Sequence, residues 1–326
     1  MPIPEILRDR LRLPVIGAPQ FIVSTPRLVL AQCKAGIVGA FPALNARPVS
    51  QLDDWLAEIG EELGGYQRAN PHAKVAPYAV NQIVHSSNNR LEQDVALCVK
   101  HKVPIIITSL RPPAEVVAAV HGYGGVVFHD VINLRHAEKA AAQGVDGIIA
   151  VCAGAGGHAG LLSPFALVKQ IREVYAGTVI LSGAMSTGAD VLAACALGAD
   201  LAYMGTRFIA TEEGNASAEY KQMLIDSAAE DIVYTSLFSG VNGNYLRGSI
   251  ARAGLDPDQL PEADKTKMNF GTGGNTAAKA WRDIWSAGQS VSGIHEIETV
   301  EALVSRMQRE YAAALKGLCS RDFACA

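Results

Sequence analysis

VILSGAMSTGADVLAACALGADLAYMGTRF, residues 179–208, is the stretch on which the fold turns. An apolar, β-branched run at 179–181 ends in a turn of small residues, and a helical stretch follows at 188–197. A second apolar run at 201–204 ends in another small-residue turn. Both runs are short and nearly continuous in apolarity, as strands are when both of their faces are covered. The same unit recurs toward the N-terminus. Further strands are expected at 15–17, 37–40, 75–80, 104–108, 125–128 and 147–151, with helices at 26–34, 49–63, 88–101, 114–121, 134–143 and 164–175. Eight strands with intervening helices predict an α/β protein, a (β/α)₈ TIM barrel, with an open doubly wound sheet as the alternative for the same pattern.

The rhythm breaks after the eighth strand. Residues 211–293 hold the turn-rich GLDPDQLPEAD and the glycine tract GTGGN, too long a stretch for a βα loop. The expected organisation is a barrel over 1–210, an appended and mostly helical lobe over 211–293, and a closing segment over 294–326. A helix at 296–316 within that last segment would pack back on the barrel.

Composition narrows the partners. Aromatics make up only 6% of the 326 residues, a composition suited to buried parallel strands under closely packed helices. The net charge is −4 with no basic block, so nucleic acid is not an expected partner. The opening MPIPEILRDRLRLP is amphipathic, carries Glu5 and Asp9, and lacks a long apolar core. Neither a secretory signal nor a membrane span is expected from it. Six cysteines lack CxxC spacing, which argues against a zinc site or a disulfide framework and for a reducing, cytoplasmic setting.

In a barrel the site forms on the loops that follow the strands. The first, GAPQFIVSTP, brings Ala18, Pro19 and Gln20 into a compact loop that a flat ligand can approach; Ser24 or Thr25 before Pro26 reads equally as an ordinary helix cap. Asn81 ends the PYAVN run with an amide that suits the polar edge of a heteroaromatic ring, or forms a turn. CAGAGGHAG leaves the backbone bare at Gly156 and Gly157 and presents His158, a side chain able to exchange a proton near neutral pH. Its spacing matches neither the dinucleotide fingerprint nor the P-loop. His129 and Asp130 at the end of the fifth strand are further candidates. After the last two strands, Gly183, Ala184, Gly205 and Thr206 offer backbone N–H groups at helix starts, the usual phosphate cup of a barrel; two unrelated tight turns are the plain alternative. Arg207 follows this cup, or makes a surface ion pair.

SGAMSTGADVLAACALGADLAYMGTRF, CAGAGGHAG and IWSAGQSVSGI together resemble the nitronate monooxygenases, formerly 2-nitropropane dioxygenases. Flavoprotein NADH:quinone reductases and flavin enoyl-ACP reductases of the same superfamily are similar too. The resemblance implies FMN, with its phosphate on Gly183–Ala184 and Gly205–Thr206 after Met204. Ala18–Gln20 would then lie beside the ring, Asn81 at its polar edge, and Gly156–Gly157 close to it. It also implies His158 as the catalytic histidine, and Trp285–Gln289 as a cover over the cofactor. The implied substrates are a nitronate or nitroalkane and molecular oxygen. An NAD(P)H-dependent reductase of quinones or enoyl thioesters is the rival enzyme, and a flavin-binding sensory protein the rival from another class. The chain departs from the family pattern at Ala184, Val151, Gln20 and Asp130, the last standing where the quinone-reductase branch tends to carry lysine.

Overall fold

The computed structural model describes residues 3–111, 113–261 and 284–320. The GTGGN tract and Cys325 lie outside the described residues. Eight parallel strands form the barrel: β1 (Val15–Gly17), β2 (Gly39–Pro42), β3 (Tyr78–Val84), β4 (Ile105–Leu110), β5 (Val126–Val131), β6 (Gly147–Val151), β8 (Thr178–Ser182) and β9 (Leu201–Met204). A two-residue strand, β7 (Gly157–His158), lies in the loop after β6. The barrel order runs β1-β9-β8-β6-β5-β4-β3-β2, and a parallel bridge between Ile16 and Val38 closes it. The open-sheet alternative is thereby set aside.

Alternation along the strands sorts side chains into two cores. Ile16, Ala40, Ile105, Ile107, Phe128, Ile149, Ile180 and Leu201 point inward and fill the barrel. Leu7, on a short 3-10 turn (Glu5–Leu7), joins this inner cluster, and Arg10 donates through Nε to the Val75 carbonyl ahead of β3. The amphipathic N-terminal stretch thus plugs the lower end of the barrel. The other faces of the strands carry Val15, Val80, Ile106, Val127, Ile148 and Val179 into the layer beneath the helices.

Two strand positions differ from the sequence reading in a way that matters. β3 begins at Tyr78, not at 75, because Pro77 has no N–H for the ladder and Ala76 donates instead to the Cys33 carbonyl. It also runs on to Val84, pairing Asn81 with Ile107 and Ile83 with Ser109. Asn81 therefore sits within a strand rather than at its end.

After β9 comes one helical turn (Thr206–Ile209), then a helix (Ala218–Ile225) and an antiparallel hairpin, β10 (Ile232–Thr235) and β11 (Gly243–Leu246). The hairpin is not legible in the sequence pattern. β11 also pairs with β7, Gly243 opposite His158 and Asn244 opposite Gly157, so this segment is hydrogen-bonded to the loop after β6. The C-terminal helix spans Val300–Cys319, capped by the Thr299 hydroxyl, which accepts from the Ala302 N–H. It buries Val300, Leu303, Val304 and Met307 at helical spacing. It packs on the helix Gly188–Ala196, where a Cβ on Gly188 would fall 1.8 Å from the Met307 carbonyl oxygen. Among the described residues no helix is long and apolar enough to cross a membrane.

Candidate active site

The C-terminal ends of the barrel strands surround a cavity of about 770 Å³, within the usual range for small-molecule sites. Ala18, Pro19, Gln20, Asn81, Gly156, Gly157, His158, Gly205 and Thr206 all line it, as does Asp130. Gly183, Ala184, Met204 and Gln289 do not line it. The Met204 side chain is buried beneath the helices, and its carbonyl accepts from the Ala18 N–H at 2.9 Å. His129 also points away from the cavity. It is buried, with Nδ1 2.8 Å from the Thr108 hydroxyl, and burial first, then the charge of His136, lowers its pKa to about 4.

The loop after β1 is held by groups remote in sequence. Asn45 Nδ2 donates to the carbonyls of Gln20 and Ser24, and its Oδ1 accepts from the Ile22 N–H. The Ser24 hydroxyl accepts from the Gln20 N–H, while Thr25 occupies the cap position without a side-chain bond. Ser24 therefore serves the loop and not the helix. The Gln20 side chain reaches the cavity with Oε1 buried and without a hydrogen-bond partner.

Glycine is required where three loops meet. A Cβ on Gly156 would lie 2.8 Å from the Gly288 nitrogen and 3.0 Å from the Thr206 hydroxyl. One on Gly288 would lie 2.4 Å from the Gly154 carbonyl oxygen. Gly288 N–H donates to Thr206 Oγ1 at 2.9 Å, and Gln289 N–H to the Gly154 carbonyl at 2.9 Å. Because Thr206 accepts there, its own O–H proton remains for another partner. Ala184 takes the left-handed conformation (φ 51°) that a glycine would adopt at lower cost.

The helix after β8 does not offer its N-terminus to a ligand. Asp190 accepts from the Ser186 and Thr187 N–H groups, and Glu310 from that of Gly188. An anion cup here must use the loop N–H groups ahead of the helix. Arg207 is absent from the cup as well. It is buried, ion-paired with Glu298, which Arg306 also reaches at 2.6 Å. The pair is thus interior, not on the surface.

His158 is half-buried on β7, and its Nε2 lies 3.0 Å from the Ser239 hydroxyl. Ser239 donates its proton to the Val241 carbonyl, which can only accept, so His158 donates through Nε2. Burial pushes its pKa down to about 4, and the imidazole is neutral at neutral pH. Asn244 Nδ2 fixes the same loop by donating to the Ala155 carbonyl, and the Tyr234 hydroxyl donates to that of Ala159. Trp285 lines the cavity, stacked on Tyr220 at 4.7 Å and overlaid by the Arg252 guanidinium at 3.5 Å. Asn45, Ser109, Ser239 and Asn244 escaped the sequence reading because each acts on a partner distant in the chain.

The sequence matches the family model "Nitronate monooxygenase" over residues 7–310. A nitronate monooxygenase of Paraburkholderia phytofirmans is 29% identical, with 95% of both chains covered. Among solved structures, a nitroalkane oxidase from Streptomyces ansochromogenes superposes with a TM-score of 0.77 at 23% identity, covering 96% of this chain and all of that one. FabK from Thermotoga maritima gives 0.74 at 23% identity, covering 95% and 96%. These two likenesses concern the fold. The family match spans the barrel strands and the loops that follow them and reaches into the C-terminal helix, and the chain belongs to the nitronate monooxygenase family of oxidoreductases.

Proposed function

We propose that the protein binds FMN and oxidises alkyl nitronates with molecular oxygen to a carbonyl compound and nitrite. The observation that carries the reading is the pairing, in one cavity, of a bare glycine cradle with a neutral histidine projected by β7. The residues fit the cofactor. Bare backbone at Gly156, Gly157 and Gly205 lines the cavity, with open space where a Cβ on Gly157 would stand, and Gln20 Oε1 and Asp130 Oδ1 are buried acceptors without partners beside it. Buried polar atoms of that kind call for a ligand's donor. Of the expected cup, Gly205 and Thr206, with the Thr206 hydroxyl, line the cavity and would hold the phosphate, with the N–H groups of Gly183 and Ala184 joining from outside that lining. Ala18–Gln20, Asn81 and Gly156–Gly157 would border the ring, with Trp285–Gln289 covering it. In this division, 1–210 supplies the cofactor barrel, 211–293 the lobe that places His158, and 294–326 the closing segment.

FMN, when bound, supplies the electron exchange with substrate and oxygen. His158 supplies orientation. With its pKa near 4 it is a weak base, ill-suited to take a proton from a neutral nitroalkane. A nitronate arrives already deprotonated. Its anionic oxygens favour uptake of a proton from solvent by the imidazole, because a nearby negative charge favours the charged form. This favours a preformed nitronate over a neutral nitroalkane as the substrate. The test is nitrite release from an alkyl nitronate by purified, yellow protein, with FMN recovered on denaturation. Absence of nitrite, or rapid anaerobic bleaching of the flavin by NADH or NADPH, would assign the cavity to a reductase instead.

A further inference from the structure

Three polar side chains on neighbouring strands form a chain along the floor of the cavity. Asn81 on β3 donates through Nδ2 to the Ile107 carbonyl at 3.2 Å and to Ser109 Oγ at 2.9 Å. Ser109 on β4 donates its one proton to Asp130 Oδ2 on β5 at 2.6 Å. The other carboxylate oxygen, Oδ1, is buried without a hydrogen-bond partner, and Asp130 lines the cavity. Every donor in this chain is spent inside the protein. Asn81 and Asp130 both line the cavity, and the acceptor left unmatched in the chain is the buried Asp130 Oδ1. A buried acceptor left bare carries its full desolvation cost, so a ligand that fits must bring an N–H or O–H to it.

We propose that Asp130 is the hydrogen-bond acceptor for the imide N–H of the bound flavin ring, with Ser109 and Asn81 holding its carboxylate in place. This rests on the FMN reading above. The imide N–H is the ring's one donor in the oxidised state and lies between two carbonyls, so a single aimed acceptor recognises it. Among the described residues no cation pairs with the carboxylate: burial raises its pKa to about 6, against the downward pull of Ser109. Tyr203 on β9 faces it, its hydroxyl pKa raised first by burial and further by the Asp130 charge. His129 adjoins it on β5, and His158, His136 and Arg47 share the cavity or its rim. His129 and His158 stay neutral down to about pH 4, and burial holds His136 below its usual value. Asp130 is therefore the acidic group whose protonation, near pH 6, would remove an acceptor from the ring edge.

The probe is FMN methylated at the imide nitrogen. Fluorescence titration of flavin-stripped protein with FMN and with N3-methyl-FMN should show a preference for FMN of about ten- to hundredfold, the range for hydrogen bonds to charged groups. That preference should shrink as pH falls through about 6. Asp130→Ala should largely abolish it. Asp130→Asn, which keeps a neutral acceptor, should retain part of it and lose the pH dependence. Equal binding of the two flavins by the unaltered protein, or an unchanged preference in Asp130→Ala, overturns the assignment. So does an Asp130→Asn variant with unchanged flavin preference and pH response that turns over the nitronate poorly, since Asp130 would then act on substrate. Should Asp130→Ala not fold, the pH series on the unaltered protein still decides. Protein that takes up neither flavin refutes the cofactor reading itself.

Discussion

Gly288→Ala probes the contact on which the cavity's covering segment depends. The new methyl would lie 2.4 Å from the Gly154 carbonyl oxygen, 2.7 Å from the Gly156 nitrogen and 3.1 Å from the Ala155 carbonyl carbon. All three are backbone atoms, so no side chain can rotate aside. Relief requires the 287–289 segment to move by roughly 1 Å, ordinary contacts between heavy atoms lying near 3.5–4.0 Å. That motion opens two hydrogen bonds, Gly288 N–H to Thr206 Oγ1 and Gln289 N–H to the Gly154 carbonyl, both 2.9 Å. At about 1 kcal/mol for each bond and about 1–3 kcal/mol for overpacking, the loss is about 3–5 kcal/mol. For a chain of this size that corresponds to a Tm lower by roughly 6–10 °C. Gly157→Ala gives the contrast. Nothing lies within 4 Å of its Cβ position, and its φ of 68° costs an alanine only the left-handed strain, about 1–2 kcal/mol. Gly60→Ala, in open space on the helix Ser50–Ala69, should stabilise the protein, by up to about 1 kcal/mol. Differential scanning calorimetry should rank Tm as Gly60→Ala, unaltered protein, Gly157→Ala, Gly288→Ala. A Gly288→Ala protein as stable as Gly157→Ala would refute the close packing of the 154–157 and 287–289 backbones.

Gly205→Glu should fold, as judged by circular dichroism, but lose its FMN; a stoichiometric complement of flavin in that variant removes the phosphate from this cup. His158→Asn should keep its flavin and raise the KM for nitronate more than it lowers kcat, and Ser239→Ala should shift the same way to a lesser degree; unchanged steady-state kinetics in both would take the imidazole out of the site. Stability should fall on acidification from about pH 6.5 toward 4, because His129 and His158 have pKa values near 4 in the fold against a usual 6.5, and the unfolded chain therefore binds more protons in that window. Asp130, raised from 3.8 to about 6, works in the opposite sense, contributing stability at low pH that is lost as pH rises through 6. Two groups against one leave a net slope of at most about 1.4 kcal/mol per pH unit. Urea unfolding across the window should show it, and the double variant His129→Gln/His158→Asn should lose it.

The barrel was legible because its determinants are local. Each strand of a parallel barrel is buried on both faces and reads as an apolar run, and each crossover helix declares itself by spacing. The strand ends were less so. Proline at 77 delays β3 through the missing N–H, a local effect, but the extension to Val84 comes from pairing with β4, which Asn81, Gln82 and Ile83 do not announce. The hairpin Ile232–Leu246 was hidden for a related reason. Its strands are short, and one gains a second partner only from the loop after β6.

The site divides along the same line. Glycines at 156, 157 and 205 could be read because bare backbone at a strand end is a local signature of close approach. What could not be read is the source of each side chain's chemistry. The proton that His158 donates through Nε2 is committed to Ser239, 81 residues on, and its low basicity comes from burial. The unpaired carboxylate oxygen of Asp130 depends on Ser109 capturing its neighbour, and on Asn81 capturing Ser109. A sequence shows that a histidine and an aspartate are present near a glycine loop. It does not show which protons are already committed, and in this cavity Ser239 and Ser109 set those commitments.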